Sequence, residues 1–205
     1  MRSKVLWFLA AVSLFATTAA ADRGRTWVID ADGLFLEQPG KPRRAITLPQ
    51  WQWAHEPYAC RPAIATGPRG EAVVTSNVVP VLWKIDPETL AVSMHRLGLD
   101  ADDDKDVGFS GLVYSERAGA YFAVSEAHGS LWRIDPLLRR AQKISLSEPL
   151  RGACSVSIER QARVSRFSRF CVGNKSVNLA LDQRSAYVQA AGCRPGALIL
   201  TGDMK

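Results

Sequence analysis

The sequence predicts an all-β chain, a small β-propeller of about four blades with four antiparallel strands each, and three observations carry that prediction. Leu82-Trp83-Lys84-Ile85-Asp86-Pro87 returns 49 positions later as Leu131-Trp132-Arg133-Ile134-Asp135-Pro136. The same shift lays Ile64 on Val113, Gly70 on Gly119, Val73 on Phe122, Ser76 on Ser125 and Leu97 on Leu146. A period of this length is that of a four-stranded blade, a unit that buries its apolar faces only against its neighbours.

Each element then follows from local chemistry: short runs rich in β-branched and aromatic residues, bounded by Gly, Pro, Asp and Asn. The first strand of a repeat is Ala63 to Thr66 or Leu112 to Ser115, and the second is Glu71 to Ser76 or Ala120 to Ser125. Gly67-Pro68-Arg69-Gly70 and Glu116-Arg117-Ala118-Gly119 are the turns between them. The third strand is Val81 to Asp86 or Ser130 to Asp135; Asp-Pro ends it, because proline has no amide to donate to the ladder. The fourth is Val92 to Leu97 or Ala141 to Leu146. Side chains alternate across a strand, so Trp83 and Ile85 face one neighbouring blade and Leu82 the other.

Fainter copies complete the count. A shift of 66 lays Ala186-Tyr187-Val188 on Ala120-Tyr121-Phe122 and Ala197-Leu198-Ile199-Leu200 on Leu131-Trp132-Arg133-Ile134. A front copy is read at Trp27-Val28-Ile29-Asp30, so the third-strand positions become Trp27, Trp83, Trp132 and Leu198. The last repeat then stops after its third strand, and a front strand near Trp27 or Ile46 is expected to complete it and close the ring.

Residues 1–21 read as a secretory leader: Arg2 and Lys4, an apolar run from Val5 to Ala16, then Ala19-Ala20-Ala21 before Asp22. Residues 22–205 are expected to be one propeller domain, periplasmic or secreted, and no stretch approaches the roughly 20 apolar residues of a bilayer-spanning helix. Export fits Cys60, Cys154, Cys171 and Cys193, even in number and without Cys-x-x-Cys spacing. Of the three pairings open to four cysteines, Cys60 with Cys154 and Cys171 with Cys193 is favoured. Without Arg2 and Lys4 the formal charge falls from +6 to +4, which demands no polyanionic partner; nucleic acid is not expected for an exported chain.

Candidate sites are few. Asn77 and Glu126 share one repeat position, at the end of the second strand where loops gather around the channel mouth, and His128 follows in Glu126-Ala127-His128-Gly129. Trp51-Gln52-Trp53-Ala54-His55-Glu56-Pro57-Tyr58 is an aromatic cluster on a connection between blades, suited to a glycan or peptide platform or to capping the core. Asp100, Asp102, Asp103, Asp104 and Asp106 offer carboxylates to calcium, but Lys105 and Gly111 break the EF-hand pattern. Arg160, Arg163, Arg166 and Arg169 alternate with Val164, Phe167 and Phe170 at a spacing of three, which suits a loose helical face better than a strand. No Gly-x-Ser-x-Gly, His-Glu-x-x-His or Cys-x-x-Cys-His is present, so nucleophile-elbow, zinc-protease and covalent-haem chemistry find no support.

Val74-Thr75-Ser76-Asn77 followed by Val81-Leu82-Trp83-Lys84-Ile85-Asp86-Pro87-Glu88-Thr89-Leu90 resembles the YVTN-type propeller repeat of quinoprotein amine dehydrogenase-like chains. Members of that family commonly have seven blades, so a chain of this length implies either a ring of four or pairing with another copy. Asp106-Val107-Gly108-Phe109-Ser110-Gly111 and Val124-Ser125-Glu126 are similar to the SdiA-regulated and phytase-like esterase propellers. That resemblance implies a metal held by Asp106 and Glu126, with Asn77 beside them. The expected function is non-catalytic: an exported propeller that binds a protein, peptide or glycan of the cell envelope through its loop face, using Trp51, Trp53, His55, Asn77, Glu126 and His128. The alternative is a calcium-dependent esterase or lactonase with the metal in the channel. Calcium is the one cofactor the residues leave open, and the sequence does not decide whether the protein is an enzyme.

Overall fold

Apolar side chains on both faces of a strand require a neighbour on each side, and this chain meets the requirement by stacking sheets face to face. The computed structural model describes residues 25–30, 32–54, 60–100, 107–158, 168–172, 175–179 and 185–189. Among these residues there are strands and no helix. The first sheet is β1 (Thr26–Asp30), β2 (Gly33–Glu37) and β3 (Arg44–Ile46), in that order. The second is β4 (Ile64–Thr66), β5 (Ala72–Thr75), β6 (Val81–Ile85) and β7 (Val92–Arg96). After the short β8 (Gly98–Leu99) comes the third, β9 (Gly111–Ser115), β10 (Ala120–Ser125), β11 (Ser130–Ile134) and β12 (Arg140–Leu146). The fourth is β13 (Val156–Ile158), β14 (Ser168–Val172), β15 (Lys175–Leu179) and β16 (Ser185–Gln189). Every pair within these sheets is antiparallel.

Three buried clusters lie between the sheets. Leu34, Leu36 and Ile46 of the first sheet meet Ala72, Val74, Trp83 and Ile85 of the second. Val73 and Leu82, on the opposite face, meet Tyr121, Ala123, Trp132 and Ile134 of the third. Ala120, Phe122, Val124 and Leu131 then meet Leu150, Ala153 and Val156 at the start of the fourth. Trp83 and Trp132 are both fully buried and face the preceding sheet. Each contributes roughly 1.5–3 kcal/mol through burial alone. The Trp83 indole donates to the Pro49 carbonyl at 2.8 Å and the Trp132 indole to the Ser130 hydroxyl at 2.8 Å, so neither buried N–H is left without an acceptor.

The Asp-Pro step of each repeat is a built turn. Asp86 Oδ1 accepts from the Glu88 and Thr89 amides and the Thr89 hydroxyl, while Asp135 accepts from the amides of Leu137, Arg139 and Arg140. These donors, led by the Thr89 amide, hold the Asp86 carboxyl below the usual carboxylate range. Leu90 and Leu138 close the two turns with positive φ, 58° and 56°.

Four expectations are corrected. Trp27 lies in β1, which pairs Ile29 with Leu34, just as Val74 pairs with Trp83 and Ala123 with Trp132. The third-strand equivalent in the first sheet is therefore Leu34, at the same 49-residue spacing as the two tryptophans. A Trp-x-Ile-Asp string fits either a second or a third strand, because both are apolar on two faces. Ala186-Tyr187-Val188 lies in β16, the fourth strand of its sheet rather than the second. That sheet thus has four strands of its own and needs none from the front. Arg169 and Phe170 lie in β14, a strand, so spacing by three does not mark a helix there. Arg160, Arg163, Arg166, Val164, Phe167 and Leu198 fall outside the described residues, as do residues 1–21.

Candidate functional site

The hairpins after β5 and β10 and the described parts of the connections before β4, β9 and β13 are hydrogen-bonded to one another and form the loop face. Its construction starts at the end of β5. The Thr75 hydroxyl donates to the Phe109 carbonyl at 2.7 Å, and the Phe109 amide donates to the Ser76 carbonyl at 2.7 Å. The Ser76 hydroxyl donates to the Gln52 carbonyl and accepts from the amides of Val78 and Val79. Gly108 lies so close to this hairpin that a Cβ there would stand 2.0 Å from the Asn77 carbonyl carbon. Only a residue without a side chain permits that approach.

Asn77 is 4% exposed, and both ends of its amide are engaged: Oδ1 accepts from the Ala54 amide, while Nδ2 donates to the carbonyls of Ala54 and Cys60. Cys60 is bonded to Cys154, across 94 residues of chain. Glu126, the repeat equivalent of Asn77, reaches the same disulfide from the other side. Its amide donates to the Ser110 hydroxyl, which donates to the carbonyl of Ala153, the neighbour of Cys154. The structure thus brings the two repeat-equivalent positions to opposite ends of one crosslink. The connections before β4 and before β13 are tied to each other, with the connection before β9 hydrogen-bonded to the hairpins between them.

The remaining candidates divide by burial. Trp51 packs on Trp83 with ring centroids 5.0 Å apart, so it serves as a cap on the first core cluster. Trp53 is half-buried on the same connection. Glu126 is half-buried, and His128 is exposed in the following turn, where Gly129 takes φ +60° and its carbonyl accepts from the Leu150 amide. His55 and Asp106 lie outside the described residues, as do Asp102, Asp103, Asp104 and Cys193. Asp100 is described: its carboxylate accepts from the Lys143 amide at 2.8 Å, and its own amide donates to the Ala141 carbonyl. That carboxylate fastens β8 to the edge of β12, where Gly98 and Leu99 run parallel to Arg140 and Ala141.

One loop-face residue escaped the sequence reading. Asp32 sits in the β1–β2 turn and is exposed. That turn occupies the position held by Asn77 and Glu126 in the next two sheets. Asp32 stands three residues after Ile29, as Asn77 does after Val74 and Glu126 after Ala123; the 49-residue spacing points from Asn77 to Val28 instead, because the first hairpin is shorter, so only the strand register reveals it. On the outer side of the third sheet, a cleft of about 530 Å³ is lined by Leu99, Asp100, Arg133, Asp135 and Arg140. It is separate from the loop face, on the β11–β12 turn and β8. Among the described residues no group of three or more His, Cys, Asp or Glu side chains is placed to share a metal ion.

No family model matches the chain, and no curated protein does. Solved structures do. Virginiamycin B lyase from Staphylococcus aureus is similar at a TM-score of 0.58 and 14% identity, over 84% of this chain and 55% of that one. A streptogramin B lyase is similar at 0.57 and 15%, over 84% and 55%. An auxiliary nutrient binding protein from Bacteroides ovatus is similar at 0.52 and 12%, over 82% and 42%. The chain spans about half the length of the structures it matches. These neighbours are propeller proteins, and the likeness, at such low identity, is one of fold: the chain has the β-propeller fold.

Proposed function

We propose that this chain is an exported binding propeller whose loop face holds a polar ligand, a glycan or a peptide, with Glu126, His128, Asp32 and Trp53 as the contacting side chains. The observation that carries the reading is the division of labour on that face. Thr75, Ser76, Asn77 and Ser110 direct their polar atoms into the protein and fasten the loops, while Asp32 and His128 stay exposed on top. Contact groups on a surface fixed in this way lose little freedom on binding, which favours recognition. A disulfide between two connections suits an oxidising compartment, and a nutrient binding protein stands among the fold neighbours.

The calcium-dependent hydrolase reading gains no comparable observation. The Asn77 amide is engaged with backbone groups, and Asp106 lies outside the described residues. The test is a glycan and peptide array probed with the unaltered chain and with a Glu126→Gln, His128→Ala variant. A ligand lost at least tenfold in the variant, with an unchanged melting transition, is the expected result. Equal binding by both proteins would overturn the assignment. Binding that appears only with added calcium would move it to the hydrolase reading.

A further inference from the structure

Ser93 and His95 lie two positions apart on β7, so their side chains share one face of the second sheet. Register fixes which face: His95 stands opposite Leu82 and Ser93 opposite Lys84, and Leu82 packs toward the third sheet. The Ser93 hydroxyl lies 2.9 Å from His95 Nε2, within the range over which a nucleophile hands its proton to a base. Its contact with the Lys84 carbonyl is longer, at 3.4 Å. Ser93 is exposed and His95 half-buried, so the hydroxyl can be reached while the imidazole is held by its surroundings.

The strand itself does not call for these two residues. The 49-residue shift lays Ser93 on Gln142 and His95 on Ile144, and β12 forms the corresponding fourth strand without either. Burial and then the Lys84 charge lower the imidazole pKa, against a smaller opposing influence from Asp135. The imidazole is therefore neutral at neutral pH and able to accept a proton. Asp135 comes from the third sheet, and it also lines the cleft with Leu99, Arg133 and Arg140. Its oxygens accept from the amides of Leu137, Arg139 and Arg140, so its influence on His95 is one of charge.

We propose that Ser93 and His95 form a nucleophile–base pair that hydrolyses small esters at the outer margin of the second and third sheets, with the cleft beside Asp135 taking the substrate's anionic end. The Ser93 oxygen bonds to the acyl carbon as its proton passes to His95 Nε2, and the tetrahedral oxyanion forms near the Lys84 charge. When the bond from that carbon to the leaving alcohol breaks, the alcohol takes the proton from His95 and Ser93 is left acylated. Water then gives a proton to His95 and bonds to the acyl carbon. The bond to Ser93 breaks, its oxygen regains the proton, and the acid departs. Asp135 offsets the positive charge that His95 carries between transfers. Arg140, on the cleft wall, favours an ester with a carboxylate. This activity is independent of the loop face and its ligand.

The test uses the full chain at neutral pH, with p-nitrophenyl acetate and mono-p-nitrophenyl succinate as probes. Ser93→Ala and His95→Gln should each slow p-nitrophenol release at least tenfold, with an unchanged melting transition at that pH. In the unaltered chain, quenched in acid during turnover of the acetate, mass spectrometry should find the acetyl group on Ser93. The succinate ester should react at least threefold faster than the acetate, and Arg140→Gln should remove that preference. A rate that survives Ser93→Ala but falls with His95→Gln would make the imidazole the nucleophile and overturn the pair. Rates unchanged in both variants, or acetyl groups on lysines alone, would assign release to other amines and overturn it too. Equal rates for the two esters in the unaltered chain would overturn the part given to the cleft.

Discussion

The side-chain amide of Asn77 donates to the carbonyl of Cys60 at 3.1 Å, so the end of a second strand holds the backbone of a disulfide partner 17 residues earlier. Asn77 is therefore a fastener of the loop face. Asn77→Ala leaves the buried carbonyl of Cys60 without this donor and should cost about 1–3 kcal/mol. Urea unfolding followed by tryptophan fluorescence measures it; a loss below about 0.5 kcal/mol would show the loop to be held by other contacts.

Replacing Cys60 and Cys154 together by serine should cost about 2–5 kcal/mol, the range for removal of a native crosslink that closes a long loop. The same urea experiment reads it, and an unchanged midpoint would separate the crosslink from the stability of the stack.

Trp83 and Trp132 occupy equivalent places between successive sheets, both fully buried. Trp83→Ala and Trp132→Ala should each cost about 3–5 kcal/mol, with similar values for the two. Trp27→Ala should cost clearly less, since Trp27 is only partly buried on β1. An equal loss at all three positions would contradict the register that places Leu34, not Trp27, with the other two.

His95 on β7 has its imidazole pKa lowered, first by burial and then by Lys84, against a smaller opposing influence from Asp135. Its Nε2 lies 2.9 Å from the Ser93 hydroxyl. Because the unfolded chain binds the proton more readily, this contribution is complete above about pH 6.5 and is lost as pH falls toward the folded value. Stability should therefore drop between neutral and mildly acidic pH, and His95→Gln should flatten that part of the profile. Identical profiles for the two proteins would exclude His95 as the source.

Much of the scaffold was legible because the repeat is written twice with the same spacing. The four strands around Trp83 and the four around Trp132 lie within one or two residues of their expected bounds, and the opposed faces of Leu82 and Trp83 follow from strand alternation. The first sheet was misread because Leu34 and Phe35 replace the tryptophan motif, leaving Trp27 as the more conspicuous match. The last sheet was misread because three apolar residues fit any strand of a sheet buried on both faces. On the loop face, Asn77 and Glu126 could be paired by spacing, but their different engagement could not be foreseen. It depends on carbonyls of Ala54, Cys60 and Ala153, which carry no signature in a sequence.

The short strand Gly98–Leu99 deserves a reading in terms of solubility. Together with β16, which covers Ser145 and Leu146, it lies along the outer margin of β12, with Asp100 pinned to Lys143 at the end of the clip. A margin occupied from within cannot recruit a strand from a neighbouring molecule. Asp100, whose carboxylate takes the Lys143 amide between those two covers, completes the clip, so the outer margin of β12 is guarded by a two-residue strand far from the disulfide and its loops.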